Sequence, residues 1–309
     1  MRALVTGASG FVGARLVELL ERRGVEAWRL SRSAAGEGAI AADISNDALE
    51  LPSIVFDEVY HAAGLAHMAP RNEAERERFF AVNRRGTERL LTALDALPQP
   101  PQRFVLVSTV AVYGREAGEN LDEATPREAA DPYGQSKRQA EDAAVEWAER
   151  RGVRWSVVRL PLVVGPGAPG NLAAMLQALR RNLYFGVGRG DARRSMVALD
   201  DAAAALPRLA AVGGAFHLTD GRHPSFFEIE QKLAAALGRR PPRRLPLGAA
   251  RLLAGAGSLV ETATGRRAPF TRRALQKMTS TLTFSDAKAR RELGWQPSSV
   301  AERLPELLP

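Results

Sequence analysis

Short runs of aliphatic and β-branched residues alternate with longer segments of helical periodicity through the first half of the chain. The runs at residues 3–5, 26–30, 38–41, 58–61, 103–108 and 154–159 have the length and bounding turn residues of buried strands. Between them, residues 10–23, 72–96 and 132–151 repeat apolar side chains at helical spacing. Strands joined by crossover helices run parallel. The pattern therefore predicts an α/β fold built on a doubly wound parallel sheet.

Beyond Pro161 the order loosens. The run from Gly165 to Gly170 is rich in Gly and Pro and reads as a loop, residues 171–182 as a helix, and Pro241-Pro242 as a break before an irregular C-terminal part. A strand near residues 216–219 is expected to return to the main sheet. The chain then divides into a sheet domain, residues 1–161 and about 195–220, and a smaller C-terminal cap over the strand ends, about 162–194 and 221–309.

Composition changes this picture little. The 309 residues are 45% hydrophobic and 25% charged, as in an average soluble protein, and no segment approaches the roughly 18 uninterrupted apolar residues that span a bilayer. Residues 245–260 come nearest. Arg251 and several glycines interrupt them, so they read as an amphipathic helix packed against a pocket, with no membrane insertion. The N-terminus runs directly into a strand and leaves no room for a signal peptide. Cysteine is absent, which excludes disulfides and a thiol nucleophile and agrees with a cytoplasmic location. The net charge of +8 raises nucleic-acid binding, but the arginine runs are short and aromatics make up only 6%, so stacking platforms are scarce. The charge reads as a solvated surface able to attract an anionic small molecule.

Chemistry enters where the first strand meets the first helix, at Thr6-Gly7-Ala8-Ser9-Gly10-Phe11-Val12-Gly13. Gly7 permits a tight turn, Gly10 lets the backbone approach a pyrophosphate at a helix N-terminus, and Gly13 allows close packing of helix on strand, the signature of a Rossmann dinucleotide site. The second strand ends at Ser31 and Arg32, where an NAD-specific site usually places a carboxylate on the ribose hydroxyls. A hydroxyl and a guanidinium suit the 2′-phosphate of NADP. With Arg32 stacked on adenine or in solvent, NAD is the alternative. Farther on, Asp131 caps a helix that opens at Pro132, and Tyr133 and Lys137 fall one turn apart on one face. An ammonium beside a phenol is expected to lower the tyrosine pKa towards neutrality, giving a proton donor and acceptor for a carbonyl or alcohol. Thr109, at the end of a neighbouring strand, is placed to hold the reacting oxygen. No metal is called for.

With these motifs the chain resembles an extended short-chain dehydrogenase/reductase of the NAD-dependent epimerase/dehydratase family. The resemblance is carried by the glycine turn, Asp43-Ile44, His61-Ala62-Ala63-Gly64, Asn83, Ser108-Thr109 to Gly114, Tyr133 with Lys137, Arg159-Leu160-Pro161 and Arg290 to Trp295. It implies that Asp43 and Ile44 contact the adenine, and that Ala62, Ala63, Gly64, Asn83, Ser108 and Pro161 line the dinucleotide with Phe11, Val12 and Lys137. Asn171 then contacts a substrate diphosphate, unless it is only a helix cap, and Arg193 the pyrophosphate, with Arg194 as the alternative. The substrate implied is a nucleoside-diphosphate sugar and the assembly a homodimer. For the dimer, Phe79, Phe80, Leu90, Leu91, Leu94, Val145 and Trp147 exceed the apolar needs of one helix face.

A 4,6-dehydratase of this family carries an acidic pair after the threonine. Val110 and Ala111 stand there instead and cannot do that acid and base work. What remains is reduction of a UDP-linked 4-keto-6-deoxy sugar by NADPH, favoured by Arg32 and by the similarity of the second half to reductases of that type. The alternatives are an NAD-dependent 4-epimerase like UDP-glucose 4-epimerase, and a non-catalytic dinucleotide-sensing module. Val110, Ala111, His67 and the loop from Gly165 to Gly170 are expected to shape the sugar pocket.

Overall fold

The apolar runs of the first half all become strands of one sheet. The computed structural model describes residues 1–46, 49–264, 268 and 270–304, without the side chains of Asn171 and Thr264. Its strands are β1 (Arg2–Thr6), β2 (Glu26–Ser31), β3 (Ala39–Ala41), β4 (Glu58–His61), β5 (Arg103–Thr109), β6 (Gly118–Leu121), β7 (Arg154–Leu160), β8 (Leu162–Val164), β9 (Gly186–Val187), β10 (Met196–Ala198), β11 (Gly214–His217), β12 (Arg244–Leu245) and β13 (Leu282–Phe284). The helices are α1 (Phe11–Arg22), α2 (Glu73–Phe79), α3 (Gly86–Asp95), α4 (Pro132–Arg151), α5 (Asn171–Arg180), α6 (Leu199–Val212), α7 (Phe226–Ala236), α8 (Leu247–Thr264), α9 (Arg272–Thr279), α10 (Ala287–Leu293) and α11 (Val300–Arg303).

Seven strands form the central sheet in the order β11-β7-β5-β4-β1-β2-β3, every pair parallel. The chain steps outward from β1 to β3, then crosses back and builds the other half from β4 to β11. The reversal lies between β1 and β4, where Thr6 pairs with His61, and a ligand crevice opens beyond the carboxyl ends of strands at such a point. The returning strand is Gly214–His217, two residues earlier than its expected limits. Successive strand residues point to opposite faces, and both faces are covered. Ala3 and Val5 pack with Leu16, Leu20, Leu206 and Leu209 on one side, and Leu4 with Leu90, Leu94, Phe104 and Trp147 on the other.

Three expectations are corrected. Residues 72–96 do not form one regular helix: Phe80–Arg85 is a π turn between α2 and α3. The extra residue rotates the following helix by roughly 100° relative to a regular one, and Asn83 lies in that turn, 1% exposed. Most of the apolar surplus assigned to a dimer interface is used within the chain: Leu90, Leu91, Leu94 and Trp147 are buried in the core on the sheet and Phe79 is buried beside Tyr133, while Phe80 and Val145 are partly buried. Finally, α8 turns Ala250 and Ala254 inward and leaves Leu252, Leu253 and Leu259 exposed, so its apolar face does not pack against a pocket. No helix among the described residues is long and apolar enough to cross a membrane.

Candidate active site

The turn after β1 is built so that only glycine fits. A Cβ on Gly13 would stand 2.2 Å from the Gly7 carbonyl oxygen, and one on Gly7, at φ +67, would stand 2.6 Å from the Ala63 nitrogen. Helix α1 therefore presses on the turn, and the turn on the segment Ala62-Ala63-Gly64 after β4. Gly10 is the N-cap of α1 and offers no side-chain cap, so the first amides of the helix face outward for an anion. Phe11 extends from this end towards Gly165, on which a Cβ would come within 3.4 Å of the Phe11 ring. A groove of about 730 Å³ lies between Gly10 and Phe11 on one side and Pro166, Gly167 and Pro169 on the other, which brings the Gly-Pro loop over the helix N-terminus.

At the end of β2, Ser31 is buried and Arg32 exposed. The Asp43 carboxylate accepts from the Ser45 amide (2.8 Å) and hydroxyl (2.6 Å), and these bonds, with the charge of Arg32, hold it below the usual carboxylate range. The Ile44 side chain is buried, and a Cβ on Gly86 would come within 2.9 Å of its Cδ1.

A hydrogen-bond chain fixes the floor beneath these loops. Thr87 Oγ1 donates to the Asn83 carbonyl (2.6 Å). A hydroxyl has one proton, so the 2.9 Å contact between Thr87 Oγ1 and His61 Nε2 must be a bond from the imidazole. His61 Nδ1 is then bare and accepts from Thr6 Oγ1 (2.6 Å), which in turn accepts from the Ala63 amide (3.2 Å). Burial, with the charge of Lys137 acting in the same direction, pushes the His61 pKa down to about 3 and keeps the ring neutral.

Asn83 extends the chain. Its Oδ1 accepts from the Leu65 amide (2.7 Å), and its Nδ2 donates to the Leu65 carbonyl (3.0 Å) and to Ser136 Oγ (2.9 Å). Both amide protons are engaged, so Asn83 positions the Gly64-Leu65 backbone and α4 and has no donor left for a dinucleotide. Gly64 lies against it, with room for a Cβ only 3.1 Å from Asn83 Oδ1 and 3.6 Å from Lys137 Nζ.

The buried histidines make stability acid-sensitive. His61 is depressed to about 3 and His217 to about 4, both mainly by burial, against roughly 6.5 in an unfolded chain. As pH falls below 6.5 the unfolded chain takes up two protons that the folded one refuses. Stability is therefore expected to fall from about pH 6.5 towards 4, each ring contributing up to about 1.4 kcal/mol per pH unit. Urea midpoints measured between about pH 7 and 5, above the carboxylate range, check this, and a flat midpoint would contradict it.

Thr109 closes β5 and caps the 3₁₀ turn Val110–Tyr113, its hydroxyl accepting from the Ala111 amide (3.2 Å). Asp131 caps α4 through the Gly134 amide (3.1 Å), with Pro132 in the first turn as expected. Gly134 allows α4 to sit hard against the β5 end, since a Cβ there would lie 2.6 Å from the Ala111 carbonyl oxygen. Tyr133 is thereby brought beside Thr109, and its ring lies 5.9 Å from that of Phe79. The expected depression of the tyrosine pKa is not found. Burial raises it, the Thr109 hydroxyl opposes the rise, and the charge of Asp131 adds to it. The reason is geometric: Lys137 Nζ donates to the Val107 carbonyl (2.7 Å). Burial lowers the ammonium itself to about 8, with Glu141 opposing.

Glu141 went unread in the sequence, although Tyr133, Lys137 and Glu141 repeat at one-turn intervals along α4. It is 1% exposed, accepts from Ser108 Oγ and Arg127, and forms a multiply bonded pair with Arg159, whose Nη2 is 2.9 Å from Glu141 Oε2. Arg159 also donates to Tyr113 Oη (2.7 Å), which lies 2.6 Å from His217 Nε2. Burial pushes the Tyr113 phenol up to about 12 against the opposing charge of Arg159. The Ser108 side chain is thus engaged inside the protein. Pro161, between β7 and β8, is partly buried.

On the cap side, His67 (φ +57) meets Gly170 (φ +85) so closely that a Cβ on the glycine would lie 2.6 Å from His67 Nδ1. The structure therefore brings together His67 and the Gly-Pro loop. Asn171 opens α5 where expected, and its side chain lies outside the described residues. Of the arginine pair, Arg194 donates to the Ser280 and Lys277 carbonyls beneath Phe226. Arg193 is 51% exposed and held by the His223 carbonyl (3.1 Å).

The profile of the NAD dependent epimerase/dehydratase family matches residues 3–215. The chain belongs to this family. It is 32% identical over 252 residues to the epimerase family protein SDR39U1 of Homo sapiens, covering 80% of this chain and 84% of that one. The crystal structure of the human protein (isoform 2) with NADPH superposes with a TM-score of 0.75 at 28% identity, covering 99% of both chains. A dTDP-6-deoxy-L-talose 4-dehydrogenase (NAD(P)(+)) of Kitasatospora kifunensis is 35% identical over 194 residues, 58% of this chain and 59% of its own. The UDP-glucose 4-epimerase of Vibrio cholerae is 27% identical over 325 residues, 97% of this chain and 92% of its own.

Proposed function

We propose that this protein reduces the C4 carbonyl of a UDP-linked 4-keto-6-deoxyhexose with NADPH. The observation that carries the reading is Tyr133 set beside Thr109 at the end of β5, both partly buried, one turn from Lys137, which lies beside Gly64. The residues fit a nicotinamide dinucleotide. The glycine turn and the α1 amides would hold its pyrophosphate, Arg32 a 2′-phosphate, and Ala62, Ala63 and Gly64 its nicotinamide half, which supplies the hydride when bound. Thr109 would orient the C4 oxygen by a hydrogen bond. Tyr133 would deliver the proton that turns the developing alkoxide into an alcohol. A phenol whose pKa is raised by burial stays protonated at neutral pH, the state an acid for reduction requires. Asn171 and Arg193 are the candidates for the substrate diphosphate, and a homodimer is the assembly that family membership suggests.

Supporting the direction are the missing carboxylate at the end of β2 and the relatedness to a 4-dehydrogenase of a dTDP-6-deoxy sugar. NAD-dependent 4-epimerisation is the alternative, favoured by the full-length relatedness to a UDP-glucose 4-epimerase. Incubation with UDP-4-keto-6-deoxy sugars and NADPH, and separately with UDP-hexoses and no added cofactor, separates them: the first mixture should consume NADPH and the second should show no isomer exchange. Arg32→Asp is expected to weaken NADPH binding by tenfold or more and NADH binding little, because the 2′-phosphate would lose a charge-assisted partner and face a carboxylate. Fluorescence titration with both cofactors checks this, and equal losses would contradict it.

A further inference from the structure

Helix α8 carries an apolar stripe on its outer side. Leu252, Leu253 and Leu259 are 78%, 53% and 70% exposed, Val260 is 51% exposed, and Ala256 and Ala263 are exposed with them. These positions follow one another at the one, three and four residue steps that keep a single helix face, whereas Ala250 and Ala254 on the opposite face are buried. Scattered exposed leucines are ordinary; a contiguous stripe marks a surface that is covered in use.

The charge around the stripe says by what. Between Arg239 and Lys277 the sequence holds ten Lys and Arg residues and one acidic residue, Glu261. The chain's net charge of +8 is therefore concentrated here, and the rest of the chain is close to neutral. Arg251 is exposed on α8. The start of α9 is held to the same helix by a bond from the Arg272 amide to Ser258 Oγ (3.0 Å), and the Arg272 guanidinium lies 3.7 Å from where a Cβ on Gly255 would stand. With 100° between successive helix residues, Arg251, Gly255 and Ser258 all border the stripe on one side.

Although Arg244 is paired with Glu230 and Arg273 lies near Glu116, an apolar stripe bordered by Arg251 and Arg272, in a stretch of sequence with a single acidic residue, suits an interface where hydrocarbon lies beneath a layer of negative charge. A second copy would set two such basic segments against each other. Nucleic acid would leave the leucines without apolar cover. We propose that α8 lies flat on an anionic lipid surface, its leucines among the acyl chains and the flanking arginines at the headgroups, so that the enzyme works as a peripheral membrane protein. The contact is adsorption and not a crossing.

Co-sedimentation with phosphatidylcholine vesicles, and with vesicles of phosphatidylcholine mixed with phosphatidylglycerol, tests this. The protein should sediment with the mixed vesicles alone, and raising the salt should release it. The exposed-site variant Leu252→Asp/Leu259→Asp should lower the partition coefficient by at least about tenfold, and Arg272→Gln/Arg273→Gln should lower it at low salt. Both should bind NADPH like the parent, which shows that they are folded. Failure to bind the mixed vesicles, or a Leu→Asp variant that binds like the parent, would overturn the proposal. So would light scattering that shows a dimer dissociated by Leu252→Asp/Leu259→Asp, for a second copy would then cover the stripe.

Discussion

Tyr133→Phe will lower turnover by about 10²–10⁴-fold while leaving the fold and the affinity for NADPH close to those of the parent, because it removes one proton donor and no packing volume. The ring stays beside Phe79; only the hydroxyl beside Thr109 goes. Steady-state rates with a 4-keto sugar, read beside a cofactor titration, check the split between turnover and binding. Unchanged turnover would remove Tyr133 from the chemistry and favour the reading of a dinucleotide-sensing module.

Glu141→Ala will have the largest effect on stability. The Arg159 side chain is 7% exposed and that of Glu141 1%, so the substitution strands a buried guanidinium and takes away the acceptor of Ser108. Breaking a buried pair from one side costs about 3–5 kcal/mol. The damage should reach the active site, because Glu141 lies one turn beyond Lys137 and ties α4 to Ser108 at the end of β5. Thermal and urea unfolding measure the loss. A change below about 1 kcal/mol would mean that Arg159 finds another partner.

The strands and long helices were legible because burial of both sheet faces writes continuous apolar runs, and the glycine turn because at Gly7 and Gly13 the backbone approach admits no side chain. Less legible were features set by contacts far apart in sequence. The π turn at Phe80–Arg85 depends on Thr87 and on the partners that Asn83 finds at Leu65 and Ser136, none of which helical periodicity reveals. Asn83, Ser108 and Ile44 were assigned to the dinucleotide through family resemblance, yet their side chains are committed inside the protein, as positioning or packing groups. Glu141 read as one of many charges on an amphipathic helix; only the register that sets Ser108 beside Arg159 shows why a carboxylate must be buried there. The direction of the Tyr133 pKa was also beyond the spacing argument. One helical turn brings Tyr133 and Lys137 to the same face but does not say that the ammonium turns to the Val107 carbonyl.

The central claim is that hydride is delivered once, to C4, and stays. Reaction of a UDP-4-keto-6-deoxyhexose with NADPH deuterated at the transferable position, followed by mass spectrometry of the sugar, measures this directly. The account predicts one deuterium at C4 for each NADPH oxidised. Conversion of a UDP-hexose to its C4 epimer with no net oxidation of cofactor, and no deuterium in the sugar, would contradict it.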